Sequence, residues 1–149
     1  MGMFTAFDVS ASGLTAQRYR MDTIAENVAN ANTTRTENGD PYKRKVVVFE
    51  EKGVRGSESF SHVLNHAKKH YAGEGVKVAK VFEDNSTEMN MVYDPSHPDA
   101  DENGYVTYPN VNIITEMTNL IDASRSYEAN ATAFNASKSM AQRGLEIGR

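Results

Sequence analysis

The sequence predicts an α+β chain, with long N- and C-terminal heptad helices forming an antiparallel coiled coil and a small, mostly β module inserted between them. Three observations lead there. Apolar residues recur on a 4-3 spacing at both ends of the chain. No proline occurs before Pro41 or after Pro109. Between those limits the composition turns to β-branched runs separated by Asn-, Asp-, Gly- and Pro-rich turns. The divisions are residues 1–32, 33–111 and 112–149.

In the C-terminal segment Ile113, Met117, Leu120, Ser124, Tyr127, Ala131, Phe134, Lys138, Ala141 and Leu145 form one heptad seam. The spacing predicts a helix over about 112–149, some 50 Å long at about 1.5 Å per residue. That length is more than a chain of 149 residues covers by itself, so the helix needs a partner. In the N-terminal segment Phe4, Phe7, Ala11, Leu14, Arg18, Met21, Ala25 and Val28 repeat the spacing, with Ile24 beside the seam. This predicts a helix over about 3–30, closed by the run from Asn30 to Thr34, whose side chains favour caps and turns. Arg18, Ser124 and Lys138 are the polar interruptions of the two seams.

The middle predicts strands at 43–50 (KRKVVVFE), 76–82 (VKVAKVF), 89–93 and 105–108, with a turn at Asn38-Gly39-Asp40-Pro41. The glycine-bounded stretch 53–75 reads as loop or short helix. Lys43-Arg44-Lys45 reads as a solvated strand start rather than a phosphate groove.

Composition narrows the function classes. Net charge is −4, with acids and bases mixed along the chain, which argues against nucleic acid as a partner. The absence of cysteine excludes disulfides, thiolate zinc sites and thiol catalysis. No window approaches the roughly 18 apolar residues of a membrane span. The N-terminus has neither the basic region nor the apolar run of a secretory signal. No Gly-x-Ser-x-Gly, Gly-rich phosphate loop or carboxylate pair in an apolar setting is present, so no catalytic residues and no cofactor are predicted.

Two patterns carry possible metal chemistry. His62, His66 and His70 share one face of any helix through them, but Lys68 and Lys69 lie among them and no carboxylate does. Residues 99–104 (DADENG) copy the opening of a calcium loop, yet its twelfth position is Asn110 instead of a bidentate Glu. A solvated surface and a proline-bounded turn are the stronger readings. A small metal- or calcium-regulated binding protein using these residues is the rival function.

Residues 23–34 (TIAENVANANTT) resemble the Asn-rich motif of bacterial flagellar axial proteins. Residues 93–101 (YDPSHPDAD), 103–112 (NGYVTYPNVN), Glu116-Met117, 123–130 (ASRSYEAN) and 134–140 (FNASKSM) closely resemble proximal-rod members of that rod and hook family. The resemblance implies a non-enzymatic subunit of the flagellar basal-body rod, the torque-transmitting shaft that crosses the periplasm. It implies passage through the flagellar type III export apparatus without a cleaved signal peptide, and packing of the terminal helices into a tube. Its expected partners are further copies of the chain, the rod proteins FlgB, FlgF and FlgG, and the rod-base protein FliE. The assembly interface is then expected at Phe4, Phe7, Leu14, Met21, Ile24, Val28, Asn30 and Asn32 on the N-terminal side. On the C-terminal side it is expected at Ile113, Met117, Leu120, Tyr127, Asn130, Phe134 and Leu145.

Overall fold

The computed structural model describes residues 3–52 and 75–147. The histidine trio and most of the 53–75 stretch lie outside the described residues. Among the described residues six elements follow in chain order: α1 (Met3–Ala29), β1 (Lys45–Glu51), β2 (Val76–Glu83), β3 (Asn90–Tyr93), β4 (Tyr105–Tyr108) and α2 (Ile113–Ile147). Two helices with a small β module between them make an α+β chain, as the residue pattern predicts.

The helix ends are set by asparagines. Past Ala29, the Asn30 amide still bonds back to the Glu26 carbonyl, and the Asn30 side-chain amide donates to that same carbonyl at 2.9 Å. Ala31 then closes on Val28, and Thr33 on Asn30, so the chain leaves the helix through successive turns. At the start of α2, the Asn112 side-chain oxygen accepts from the Thr115 amide at 3.2 Å and caps the first turn.

Within the helices, many short polar side chains are satisfied by their own backbone. Thr23 donates to Tyr19, Thr118 to Ile114, Ser126 to Asp122 and Asn130 to Ser126, each to the carbonyl four residues back. A hydroxyl bonded this way can be buried cheaply. Thr23 is indeed buried.

The inward faces differ from the seams read off the sequence. On α1 the buried residues are Ser10, Gly13, Ala16, Thr23, Ile24 and Asn27, while Ala11, Arg18 and Ala25 are exposed. On α2 they are Glu116 and Ala123, with Leu120, Tyr127, Asn130 and Phe134 half-buried. Ile113, Met117 and Lys138 stay exposed. Half of each predicted seam is kept, with Phe7, Leu14, Met21 and Val28 on α1 and Leu120, Tyr127 and Phe134 on α2 half-buried, while the alternate positions move back one residue, to Ser10 and Ile24 on α1 and to Glu116 and Ala123 on α2. The reason is close approach. A Cβ on Gly13 would come to 2.8 Å from Asn130 Oδ1. Contacts along the helix pair include Phe7 edge-on to Phe134 with centroids 5.0 Å apart, Gly13 against Asn130, and Asn27 on Glu116.

The module is two separate antiparallel ribbons, β1–β2 and β3–β4. In β1–β2, Lys45 faces Glu83 and Glu51 faces Val76, with a bulge at Val48/Phe49 that leaves Ala79 unpaired. In β3–β4, Asn90 faces Tyr108 and Tyr93 faces Tyr105. β1–β2 leans on α1. The join is tight at Gly75, which sits at φ +101°, where a Cβ would lie 2.2 Å from Ser12 Oγ and 3.3 Å from the Val9 backbone. Ser12 Oγ in turn accepts from the Val76 amide at 3.0 Å. A small apolar cluster of Ala31, Tyr42 and Val111 closes the base of the helices.

Candidate assembly surface

A buried polar node holds the two helices and the β module in one arrangement. Asn27, only 1% exposed, presents its side-chain amide to β1 as a neighbouring strand would. Its Oδ1 accepts from the Lys45 amide and its Nδ2 donates to the Lys45 carbonyl, both at 2.9 Å. The same Nδ2 donates to Glu116 Oε2 at 3.0 Å, and the Tyr42 hydroxyl donates to Asn27 Oδ1 at 2.9 Å. Glu116, also 1% exposed, accepts on Oε1 from Arg44 Nε at 2.9 Å and Nη2 at 2.7 Å. A buried carboxylate is tolerated because a guanidinium and an amide meet it.

Around this centre Asn110 Oδ1 accepts from the Arg44 amide, and its Nδ2 donates to the Asp84 carbonyl at 2.7 Å. Arg44 Nη1 stands 3.7 Å from Asp84. The Asp84 carboxylate also accepts from the hydroxyls and amides of Ser86 and Thr87, and these bonds hold it well below the usual carboxylate range. Burial, then the negative charges of Glu26, Glu116 and Glu83, push the Tyr42 hydroxyl up to about 12. Arg44 is thus a committed partner of a buried acid rather than part of a solvated strand start. Sequence reasoning missed the node, although Asn27 falls on the 3-4 spacing with Ile24 and Ala31. A lone Asn in such a line is a known way of fixing register.

The predicted interface residues divide by position. Ile24 is buried; Phe7, Leu14, Met21, Val28, Asn30, Leu120, Tyr127, Asn130 and Phe134 are half-buried. Asn32, Ile113, Met117 and Leu145 are exposed, and the Phe4 side chain lies outside what is described. The structure adds exposed residues the heptad seam left out. Ile114 (78%) and Ile121 (52%) join Met117 in an i, i+3, i+7 stripe at the start of α2, and Met140 (65%) and Ile147 (86%) join Leu145 at its end. The signal was in the sequence as Ile113-Ile114 and Leu120-Ile121, doubled apolar residues of which one seam can take only one member each.

Among the described residues, thirteen large apolar or aromatic side chains stay exposed against seven buried hydrophobic ones. Patches of this kind mark contact surfaces.

The acidic turn is occupied by its own structure. Asp99 accepts from Thr34 Oγ1 at 2.8 Å and stands 3.7 Å from Arg35, while Asp101 Oδ1 accepts from the amides of Asn103 and Tyr105. Among the described residues no group of three His, Cys, Asp or Glu could hold a metal ion. No helix there is long and apolar enough to cross a membrane.

A family model described as flagella basal body rod protein matches residues 7–35, and one described as flagellar basal body rod FlgEFG protein C-terminal matches residues 102–147. The matches coincide with α1 plus its Asn-rich exit, and with β4 plus α2. The chain is 50% identical to the flagellar basal-body rod protein FlgC of Bacillus subtilis, over 100% of both chains. It is 42% identical to that of Borreliella burgdorferi, over 99% of this chain and 98% of the relative. To that of Salmonella typhimurium it is 40% identical, over 100% of both.

Proposed function

Because the chain belongs to the FlgC family of flagellar basal-body rod proteins, a structural family, it is a rod subunit, and we propose that it is built into the proximal rod through the outer faces of α1 and α2. The observation that carries this is the exposed apolar stripe of Ile114, Met117 and Ile121 with the exposed end of α2 at Met140, Leu145 and Ile147. Burying such side chains on neighbours contributes roughly 1.5–3 kcal/mol each, enough to offset the ordering entropy of assembly. The contacts Phe7–Phe134, Gly13–Asn130 and Asn27–Glu116 pair early residues of one helix with late residues of the other, which supports an antiparallel coiled coil as the unit that docks.

In this reading residues 1–32 and 112–149 form the axial part and 33–111 the outer module. Contacts between unlike faces repeat without closing and build a helical array. Long interlocked helices then transmit torque. The neighbours are further copies, FlgB, FlgF, FlgG and FliE, reached after export through the flagellar type III apparatus without a cleaved signal peptide, and the rod crosses the periplasm.

The test uses exposed positions, so that folding is left intact. Leu120→Asp also addresses the seam, but Leu120 is half-buried between the helices and its loss would disturb the monomer too. Ile114→Glu with Ile121→Glu is expected to keep the circular dichroism and unfolding midpoint of the parent while abolishing motility and incorporation into isolated basal bodies. Normal incorporation of that variant would refute the reading.

A further inference from the structure

We propose that the outward face of the β3–β4 ribbon docks against the outward face of the β1–β2 ribbon of a neighbouring copy of this chain. The inference rests on the chain being an assembling subunit but not on how its helices pack.

The register of β3–β4 puts Met91 beside Thr107 and Tyr93 beside Tyr105 on one face. Met91 is 66% exposed and Tyr93 63%, and the Tyr93 and Tyr105 rings meet edge-on at 5.3 Å. The opposite face carries Val106, which is fully buried, beside Val92 at 48% exposed, so the aromatic face is the more exposed of the two. This ribbon lies in a stretch of one charge sign: residues 81–124 hold nine Asp or Glu and no Lys or Arg, and of those acids Asp84, Glu116 and Asp99 are met by Arg44 and Arg35. Glu88 and Glu102, on either side of the ribbon, are exposed.

The β1–β2 ribbon offers the complement. Val46 faces Phe82, Val48 faces Lys80 and Glu50 faces Lys77, and the bulge keeps these on one side of the ribbon. Phe82 is 41% exposed with the Lys80 ammonium 5.5 Å from its ring centroid, and Lys77 pairs with Glu50 at 3.2 Å. A face carrying Phe82 under the Lys80 ammonium, beside the Lys77–Glu50 pair, thus stands in the same chain as an aromatic face flanked by the exposed carboxylates of Glu88 and Glu102. The two do not meet within the chain, because neither strand of one ribbon comes against a strand of the other. Unlike, complementary faces on one molecule pair between copies in a heterologous contact that repeats along an array.

The chain's lack of cysteine makes the contact directly testable. The full chain carrying Tyr93→Cys with Lys80→Cys is incorporated into basal bodies, which are isolated and oxidised. A ladder of disulfide-linked multiples is expected from the double variant, and only unlinked chain from either single variant alone. A double variant present in the basal body yet unlinked, or linked through Cys at position 93 to a different protein, overturns the proposal and leaves the rod reading standing. Absence of the unmodified chain from basal bodies would instead sink the rod reading. A second measurement does not depend on incorporation. Self-association of the purified chain, followed by sedimentation, is expected to weaken about tenfold or more from about 0.05 to 0.5 M salt as the opposed charges are screened. It is expected to weaken comparably in Lys77→Glu with Lys80→Glu at low salt. Association indifferent to both changes overturns the proposal.

Discussion

Replacing Glu116 with alanine removes the acceptor on which the buried node converges. In the parent, Glu116 is 1% exposed and takes two bonds from Arg44 and one from Asn27. Without it the Arg44 guanidinium, 25% exposed, keeps among the described residues the more distant Asp84 at 3.7 Å, and the Asn27 amide loses its link to α2. Removing one partner of a buried pair costs about 3–5 kcal/mol, because the charge left behind stays desolvated. At about 2–4 °C per kcal/mol for a chain of this size, the melting temperature should fall by about 6–20 °C. The assay is thermal and urea unfolding of the purified chain, followed by helix ellipticity. The control is the double variant Arg44→Met with Glu116→Leu, which removes both charges. It should be more stable than the sum of the two single losses by about 1–3 kcal/mol, the coupling expected of residues in direct contact. A single variant within about 0.5 kcal/mol of the parent, or strict additivity in the cycle, would refute the claim that this node holds the helices to the module.

Gly75→Ala places a methyl group into Ser12 and forces a side chain onto φ +101°, so a loss of about 2 kcal/mol or more is expected in urea unfolding. An unchanged midpoint would show that β2 does not enter tightly against α1. Tyr42→Phe removes the hydroxyl bonded to Asn27, costing about 1 kcal/mol at neutral pH. The Tyr42 hydroxyl is raised in the folded chain to about 12, so its contribution is complete below the ordinary value of 10.0 and is lost as pH rises through 12. The stability gap between the parent and Tyr42→Phe should therefore close from pH 10 to 12; a constant gap across that window would count against burial of the neutral hydroxyl.

Much of the fold was legible in the residues because its causes are local. A 4-3 spacing sustained past three polar interruptions, with no proline, makes both helices. The asparagines at 30 and 112 end one and begin the other. Val46, Val47 and Val48 and the alternation at Val76, Val78 and Val81 make a paired ribbon. The Asn-rich run and the 93–140 motifs also pointed to the family to which the chain belongs.

The side of each helix that turns inward was not legible in this way. Moving only the alternate seam positions back by one residue turns the inward face by roughly 50°, half the angle between neighbouring residues, and both faces of α2 carry apolar residues, so helical spacing alone allows either. Three-dimensional packing made the choice through features that pattern reading counts as weak. Gly13 permits close approach to Asn130, and the Asn27 amide closes the open edge of β1. Glu116 becomes buried only because Arg44, 72 positions earlier, is there to meet it. Those partners are distant in sequence, and their match exists only once the chain is folded. Ile114, Met117 and Ile121 are left outside as a consequence, so that Ile114 and Ile121, which the heptad spacing passes over, stand beside Met117 as surface available to neighbours.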